Sequence, residues 1–470
     1  MRTLITGGTV VTASETVRAD VLVIDDRVAA VGAGSAGLGP ADRMIAADGR
    51  YVIPGGVDVH THMGLATPAG VSCDDFASGT EAAAWGGTTT IVDYAGHDYG
   101  EPLGAGLARW MARAEGRSHV DYGFHMMLRE VDNRVLREMA GLVADGVTSF
   151  KLFMAYPGVY MVDDRALFRA MCRSAEVGAL IALHAENGGP IEALVERLVA
   201  AGRTAPVEHA RSRPPSLEGE ATARAVALAE LAGVPVHIAH LSSADALAAV
   251  RAGRDRGAVV HAETCPQYLY LSEDDLRSPG VEGAKYVCSP PLRPADHQAA
   301  LWRGLRLGDL EVVATDHCPF TVAQKAADAD CFPRIPNGLP GVEERVTLVH
   351  EGVVRGELGL NRWVDVVATT PARLFGLYPR KGTIAPGSDA DLVVFDPSCE
   401  RTLTAASHHS AVDYSCYEGR RVHGLPEVVM QRGRVLVEGG RFHGSPGDGR
   451  YLPRTPGATS PAGAVAGREG

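Results

Sequence analysis

The sequence predicts an α/β protein in which a (β/α)8 TIM-like barrel is joined to a second, smaller β-sandwich domain formed by both chain ends. The middle of the 470-residue chain alternates short apolar runs with helix-like segments, as parallel βα units do. Both ends instead carry short β-rich runs separated by turns, which is typical of antiparallel strands. We therefore expect a sandwich from residues 1–53 and 381–445, a barrel from 54–380 and a C-terminal tail from 446–470.

The two chain ends share one pattern. The N-terminal runs are Thr3–Ile5, Thr9–Thr12, Val21–Ile24, Val28–Val31 and Met44–Ala46. Similar runs return after residue 381 in GTIAPGSDADLVVFD and EVVMQRGRVLVEGGRF, where Gly-Ser-Asp and Arg-Gly-Arg mark turns. Since ends of one pattern enclose a different middle, we expect them to pair in one domain.

Eight strand candidates stand in the middle of the chain, which is the number that a closed barrel requires. They are VIPGGVDVHTH, TTTIVDY, DYGFHMML, TSFKLFMAY, LIALHAEN, VPVHIAH, AVVHAETC and EVVATDHC. Helix-like segments such as DRALFRAMCRSAEVG lie between them, with Gly178 at the expected C-cap. An open doubly wound sheet is the alternative arrangement.

Composition excludes several classes of partner. The formal net charge is −12, no basic run occurs and aromatic residues make up 6% of the chain, which disfavours nucleic acid and anionic membranes. The eight cysteines form no C-x-x-C pair, so neither a zinc knuckle nor a disulfide framework is indicated. Without a secretory apolar segment near the N-terminus, we expect a cytoplasmic protein that acts on a small molecule.

Six side chains that can serve a metal site stand at the downstream ends of candidate strands. They are His60, His62, Lys151, His184, His240 and Asp316. In a barrel these strand ends form the mouth that carries catalytic groups. His60 and His62 are two residues apart, so both imidazoles face one side of a strand and can reach one ion. A structural role is the alternative for any single histidine, but the agreement of several strand ends favours metal, and the ligand types suit Zn²⁺ best.

Lys151 is the exceptional member, because a protonated amine has no lone pair for a metal. Its neighbours Phe150 and Phe153 form an apolar setting that lowers the pKa of the amine. A neutral amine can react with carbon dioxide to give a carbamate, whose two oxygens can bridge ions about 3.5 to 4 Å apart. From the residues alone, an ordinary buried lysine paired with an acid remains open.

Ordered motifs extend the argument from about residue 3 to about residue 445. They include GGVDVHTHMG, SFKLFMAYPGVYMVDD, LHAEN, VPVHIAHLSS, ETCPQYL, CSPPLR, ATDHCPF and PNGLPGVEER. With them the chain resembles the dihydropyrimidinase and D-hydantoinase group of the cyclic amidohydrolases, in the amidohydrolase superfamily. The resemblance implies two Zn²⁺ per subunit, bridged by N6-carboxylated Lys151, and a homotetramer (or homodimer).

The resemblance also assigns the metal ligands. It implies that His60 and His62 bind the more buried ion and that His184 and His240 bind the more exposed one. Asp316 would complete the shell of the first ion and transfer the proton. The implied reaction is hydrolysis of the cyclic amide bond of 5,6-dihydropyrimidines and/or 5-substituted hydantoins by a binuclear zinc hydroxide, giving 3-ureido acids or N-carbamoyl amino acids.

Three further residues are implied to bind the substrate. Tyr156 of the MAY motif would stabilise the oxyanion, while Ser289 of CSPPLR and Asn337 of PNG would hold the cyclic amide. On the residues alone, Tyr156 could pack at the rim, Ser289 could cap a helix and Asn337 could form a turn before Gly338.

The loop Met63–Pro68 departs from the pattern of the group, many members of which carry an acidic residue and then Met-Pro-Phe after the H-x-H. Here the loop is smaller, which leaves substituent preference and stereochemistry open. Leu65, Phe153 and Tyr160 are the candidates for the substituent pocket, with core packing as the alternative for Phe153.

Three alternative functions follow from related families. Dihydroorotase needs a cation for a carboxylate, usually an Arg two residues after the H-x-H, where this chain has Gly64. Allantoinase is disfavoured by Tyr156 and its MAY motif. The non-catalytic scaffold proteins of the collapsin response mediator family have lost metal ligands, whereas this chain retains all six.

Overall fold

The computed structural model describes residues 1–32, 34 and 39–457. The N-terminal part of this range forms short strands: β1 (Arg2–Thr6), β2 (Thr9–Val11), β3 (Thr16–Arg18), β4 (Asp20–Ile24), β5 (Arg27–Gly32), β6 (Arg43–Ala46) and β7 (Tyr51–Pro54). Four of them make one sheet in the order β5-β4-β1-β6. The other three belong to a second sheet that the C-terminal part of the chain completes.

The middle of the chain forms an eight-stranded parallel sheet. Its strands are β8 (Gly56–Thr61), β11 (Thr88–Gly96), β12 (Asp121–Met127), β13 (Ser149–Phe153), β14 (Leu180–His184), β15 (Val236–Ile238), β16 (Val260–Thr264) and β17 (Val312–Val313). The loop after β8 carries a separate hairpin of two short strands, β9 (Ala66–Thr67) and β10 (Gly70–Val71). The barrel strands are neighbours in sequence order from β8 to β17, and a parallel bridge between Thr61 and His317 closes the sheet. The predicted barrel is therefore confirmed.

Helices lie between and after the barrel strands. They are α1 (Ser78–Trp85), α2 (Leu103–Ala114), α3 (Asn133–Ala144), α4 (Asp164–Val177), α5 (Gly188–Ala200), α6 (Val207–Arg211), α7 (Pro215–Ala232), α8 (Ala244–Asp255), α9 (Pro266–Tyr270), α10 (Val281–Ala284), α11 (Asp296–Leu307), α12 (Val322–Ala326), α13 (Arg345–Val354), α14 (Leu360–Val364) and α15 (Thr370–Leu374). The carboxylate of Asp163 caps the start of α4 by accepting from Ala166 N, and Gly178 ends the helix at φ 72°, as the sequence predicts. Among the described residues, no helix combines the length and apolar character that crossing a bilayer requires.

The C-terminal strands complete the sandwich. They are β18 (Leu392–Thr402), β19 (Arg421–Gln431), β20 (Arg434–Glu438) and β21 (Arg441–Phe442). The second sheet has the order β21-β20-β19-β18-β7-β2-β3, with β7 antiparallel to β18. Ile5 and Val21 of the first sheet pack with Val52, Leu392 and Val428 of the second in one apolar core. The two chain ends thus share one domain, which confirms the predicted fold class.

The first strand candidate, VIPGGVDVHTH, divides between the two domains. Tyr51–Pro54 pairs with β18 of the sandwich, whereas Gly56 is the first residue of the barrel sheet. Gly55 joins them, and a Cβ there would collide with the side chain of Thr89. One continuous apolar run therefore serves two sheets, because its central glycines allow the close approach of the next strand.

The expectation of a separate tail from residue 446 is wrong for its first part. Residues 446–457 run across the N-terminal ends of the barrel strands, where Leu452 N donates to Tyr122 O at 2.7 Å and Leu452 is fully buried. Arg454 donates to Phe124 O and, at 2.9 Å, to Ser149 Oγ. Distant partners that composition does not reveal thus order a segment rich in Pro and Gly. Residues 458–470 of the expected tail lie outside the described residues.

Candidate active site

One cavity of about 270 Å³ lies at the C-terminal ends of the barrel strands. The structure brings all twelve predicted site residues to its lining. They are His60, His62, Leu65, Lys151, Phe153, Tyr156, Tyr160, His184, His240, Ser289, Asp316 and Asn337. Its volume is close to the lower end for small-ligand sites, which suits one compact ring.

Three of these residues form a compact donor cluster. His60 Nε2 and His62 Nε2 lie 3.1 and 3.2 Å from Asp316 Oδ1. The two histidines project to one side at the end of β8, and Asp316 reaches them from the loop after β17 with a left-handed φ of 53°. Two donors bound to one tetrahedral zinc at about 2.1 Å are about 3.4 Å apart, so this spacing fits a single ion.

A second set of donors stands beside the first. His184 Nδ1 lies 3.1 Å from His240 Nε2, and Lys151 Nζ lies 3.4 Å from the same His240 nitrogen. Burial lowers the pKa of His62 to about 4 and the pKa of His240 well below its usual value. Neutral imidazoles offer their lone pairs at neutral pH, so His62 in the first set and His240 in the second are suited to bind a divalent metal.

The Lys151 amine lacks the acid partner of an ordinary buried lysine. Its Nζ lies 5.0 Å from the centre of the Tyr94 ring, its side chain is 1% exposed, and among the described residues no carboxylate lies within ion-pair distance. By contrast, Lys381 Nζ lies 2.7 Å from both Asp121 and Asp391. Burial lowers the pKa of Lys151 to about 8, which makes a reactive neutral amine accessible near neutral pH.

The carboxylate of Glu263 contacts one histidine of each donor set, and the sequence did not predict this residue. Its Oε1 hydrogen-bonds His60 Nδ1 and accepts from His240 N at 3.1 Å, while Oε2 lies 3.0 Å from His237 Nε2. Burial opposes ionisation, but attraction to His60 holds the pKa of Glu263 well below its usual value. The sequence did carry a signal for Glu263. This acidic residue lies near the end of the seventh strand candidate, just as the predicted histidine ligands lie near the ends of other candidates. Its carboxylate fixes the His60 ring so that Nε2 faces the cavity.

Glu186 plays the same part for His184. Its Oε2 lies 2.7 Å from His184 Nε2 and accepts from Arg213 Nη1 at 2.9 Å. Despite the cost of burial, Arg213 and His184 lower the pKa of Glu186 to about 2. The H-x-E spacing at a strand end was the available signal, since residues two apart on a strand face one side. Arg213, which also lines the cavity, had no local signal.

Tyr156, Ser289 and Asn337 lie together at one wall of the cavity. Burial raises the pKa of Tyr156 to about 12, so its hydroxyl remains a hydrogen-bond donor at neutral pH. Ser289 Oγ lies 3.1 Å from His209 Nε2, another residue that the sequence did not indicate. The carboxamide oxygen of Asn337 is buried and has no hydrogen-bond partner among the described residues. An unpaired buried acceptor of this kind is suited to a ligand N–H.

An aromatic cluster, against which Tyr156 also packs, forms a further part of the cavity lining. Phe153 and Tyr160 stack with ring centres 5.0 Å apart, and Leu65 packs against them. Phe153 therefore both packs in the interior and lines the cavity, so the two interpretations of this residue are compatible. The loop that carries Leu65 continues into the β9-β10 hairpin, in which Thr67 pairs with Gly70.

Replacing Glu263 by glutamine is expected to weaken zinc binding or activity about 10- to 100-fold, the range for residues that orient metal ligands. Glutamine keeps the size but loses the charge that fixes the His60 ring. Zinc affinity measured by competition with a chelator checks this. Glu311→Gln is the matched control, because Glu311 forms a similar pair at 2.9 Å with His261, a histidine that does not line the cavity. Equal affinities of the two variants would contradict the assignment.

Comparisons with known proteins agree with this geometry. Residues 51–435 match the model of the amidohydrolase family. The chain is 54% identical over 457 residues to a D-hydantoinase of Streptomyces coelicolor, covering 96% of this chain and 98% of that one. It is 46% identical over 455 residues to a D-hydantoinase of Ralstonia pickettii, covering 97% and 99%. The crystal structure of dihydropyrimidinase from Brevibacillus agri superposes with a TM-score of 0.96 at 46% identity, covering 97% and 100%.

Proposed function

Because the chain belongs to the amidohydrolase family, and within it to the D-hydantoinase and dihydropyrimidinase group, we propose that it hydrolyses the cyclic amide bond of 5-substituted hydantoins and 5,6-dihydropyrimidines. The products are N-carbamoyl amino acids and 3-ureido acids. The observation that carries the proposal is that one cavity gathers two sets of possible metal donors and a buried Lys151, which has no carboxylate partner among the described residues.

The residues that would hold two zinc ions follow from the donor clusters. His60, His62 and Asp316 would hold one ion, and His184 and His240 would hold the other. The neutral Lys151 amine would add to carbon dioxide, forming an N–C bond and releasing one proton, and the resulting carbamate would offer two further oxygen donors. Two bound ions would lower the pKa of a water molecule and polarise the substrate carbonyl.

Asp316 is placed to move the proton. Burial opposes ionisation, but attraction to His60 and hydrogen bonds from His60 and His62 keep the pKa of Asp316 well below its usual value. The side chain is therefore a carboxylate at neutral pH, with oxygens that can accept a proton from the attacking water and deliver it to the ring nitrogen that leaves. Without that transfer the amide nitrogen would depart as an unstable anion.

Tyr156 and its neighbours hold the reacting amide. The Tyr156 hydroxyl, which keeps its proton, donates to the carbonyl oxygen as negative charge develops on it. The unpaired oxygen of Asn337 accepts a ring N–H, and Ser289 binds the same edge of the ring. The aromatic wall of Phe153 and Tyr160 receives an apolar 5-substituent.

A substrate panel tests the proposal. We expect hydrolysis of 5-substituted hydantoins and dihydrouracil, with aromatic substituents accepted because of the aromatic wall. Ring opening is monitored by the loss of ultraviolet absorbance and by chromatography of the ureido product. Hydantoins of both hands, allantoin and dihydroorotate are assayed in parallel. Hydrolysis of allantoin or dihydroorotate alone would contradict the proposal. The homotetramer (or homodimer) stays a prediction from the resemblance, and the cytoplasmic location stays a prediction from the sequence.

A further inference from the structure

We propose that Lys325 is a positioning residue that fixes the two substrate-binding loops of the cavity relative to each other. This inference rests on the proposed function, because there Ser289 and Asn337 hold the cyclic amide. Lys325 lies on α12, which follows the Asp316 loop, and its side chain is fully buried. It does not line the cavity, so it acts through other residues.

One amine joins the backbones of both loops. Lys325 Nζ donates to Val287 O at 2.8 Å and to Pro336 O at 2.6 Å. Val287 lies two residues before Ser289, and Pro336 directly precedes Asn337. Beside this link, Gly338 N donates to the same Val287 oxygen at 3.0 Å. The two loops that carry Ser289 and Asn337 are therefore linked directly, through the Lys325 amine and through the Val287 carbonyl that accepts from both Lys325 and Gly338.

The surroundings of Lys325 favour hydrogen bonds to the loop carbonyls over an ion pair with a carboxylate. In the described part of the chain its Nζ has no ion-pair partner, and the ring centre of Phe320 lies 5.8 Å away. The thiols of Cys288, Cys318 and Cys416 are its other ionisable neighbours. Burying an amine is costly unless its hydrogen bonds are made, and here backbone carbonyls accept them. A neutral amine keeps two N–H donors, so deprotonation would not break the link.

The helix that carries Lys325 is itself held in place. The Thr321 hydroxyl caps α12 by accepting from Gln324 N, and Val322 N donates to Asp413 Oδ1 at 2.7 Å. Gln324 Nε2 donates to Val71 O at 2.8 Å, in the hairpin whose Thr67 lines the cavity. The helix therefore connects three parts of the cavity wall, and Lys325 makes the contact to the two polar loops.

The test compares Lys325→Met with the wild-type, metal-loaded enzyme. Methionine keeps the length and the apolar stem but removes the donors. Since Ser289 and Asn337 bind the ring in the ground state as well as in the transition state, we expect KM to rise about tenfold or more while kcat changes less than about threefold. Zinc content should stay at the wild-type level. Lys285→Met is the matched control, because Lys285 lies two residues before Val287 but its amine pairs with Glu282 at 2.8 Å.

Hydrogen exchange gives a readout that does not depend on activity. In Lys325→Met, peptides containing residues 285–290 and 336–340 should exchange faster, because the Gly338 amide loses its fixed acceptor. Peptides containing His60 and His62 should be unchanged. If Lys325→Met does not fold, Lys325→Gln, which keeps two donors on a shorter side chain, is measured in the same way and should show smaller changes of the same kind.

The outcomes separate this inference from the proposed function. A fall in kcat with unchanged KM, loss of zinc, or unchanged exchange in both loops would overturn the positioning role. If the wild-type enzyme opens none of the cyclic amides, the proposed function fails, and the exchange experiment still decides whether Lys325 joins the loops.

Discussion

Replacing Lys151 by alanine is expected to lower kcat/KM by a factor on the order of a thousand or more, because a single group that stabilises transition-state charge already contributes about 100- to 1,000-fold. Lys151 lies beside His240 and has no acid partner among the described residues. If Lys151 carries the proposed carbamate, its removal takes away the group that would link the two donor sets. Zinc content measured by elemental analysis should fall below two ions per chain, while circular dichroism shows a folded protein.

Two controls test whether a carbamate is responsible. Added short carboxylic acids should partly restore the activity of Lys151→Ala, because they can place two oxygens in the vacated space. Lys151→Arg keeps a positive charge but cannot form a carbamate, so it should be as inactive as the alanine variant. Full activity of Lys151→Arg, or an unchanged rate for Lys151→Ala, would exclude the carbamate.

Replacing Asp316 by asparagine is expected to lower kcat about 100- to 10,000-fold, the usual contribution of a general acid–base group. Asparagine has almost the same shape and still offers an oxygen to His60 and His62, but it cannot accept and return a proton. Steady-state kinetics together with elemental analysis check the prediction. Retained zinc with a large loss of kcat would support proton transfer, whereas a loss explained entirely by missing zinc would restrict Asp316 to metal binding.

The metal donors could be predicted from sequence because their signal is local. Each of the six stands at or just beyond a strand, and parallel strands of a barrel bring such ends together whatever the intervening helices do. Substrate residues such as Asn337 needed family motifs in addition, since a loop position carries no periodicity. The eight strands followed from the alternation of strand-like and helix-like segments, and the first strand candidate proved to be two strands because a single apolar run serves two sheets.

Residues that act through long-range contacts were harder to find. Glu263 and Glu186 lie close to predicted ligands in sequence, yet their roles depend on rings contributed by other strands or on the side chain of Arg213. Lys325 contacts carbonyls 38 and 11 residues away, which no local pattern encodes. The segment 446–457 was missed for the same reason, because its order comes from barrel strands rather than from its own composition.

The discontinuous sandwich has a consequence for the order of events during synthesis. β7 pairs with β18, which leaves the ribosome about 340 residues later. At about 5 to 20 residues per second, β7 can pair with β2 at once but waits roughly 20 seconds to a minute for β18. During that interval the edge of β7 that pairs with β18 is open to other nascent chains, while the barrel between the two strands can already begin to fold. The rate of translation, and chaperones that bind the unpaired edge of β7, should therefore affect the yield of active enzyme in addition to the stability of the finished fold.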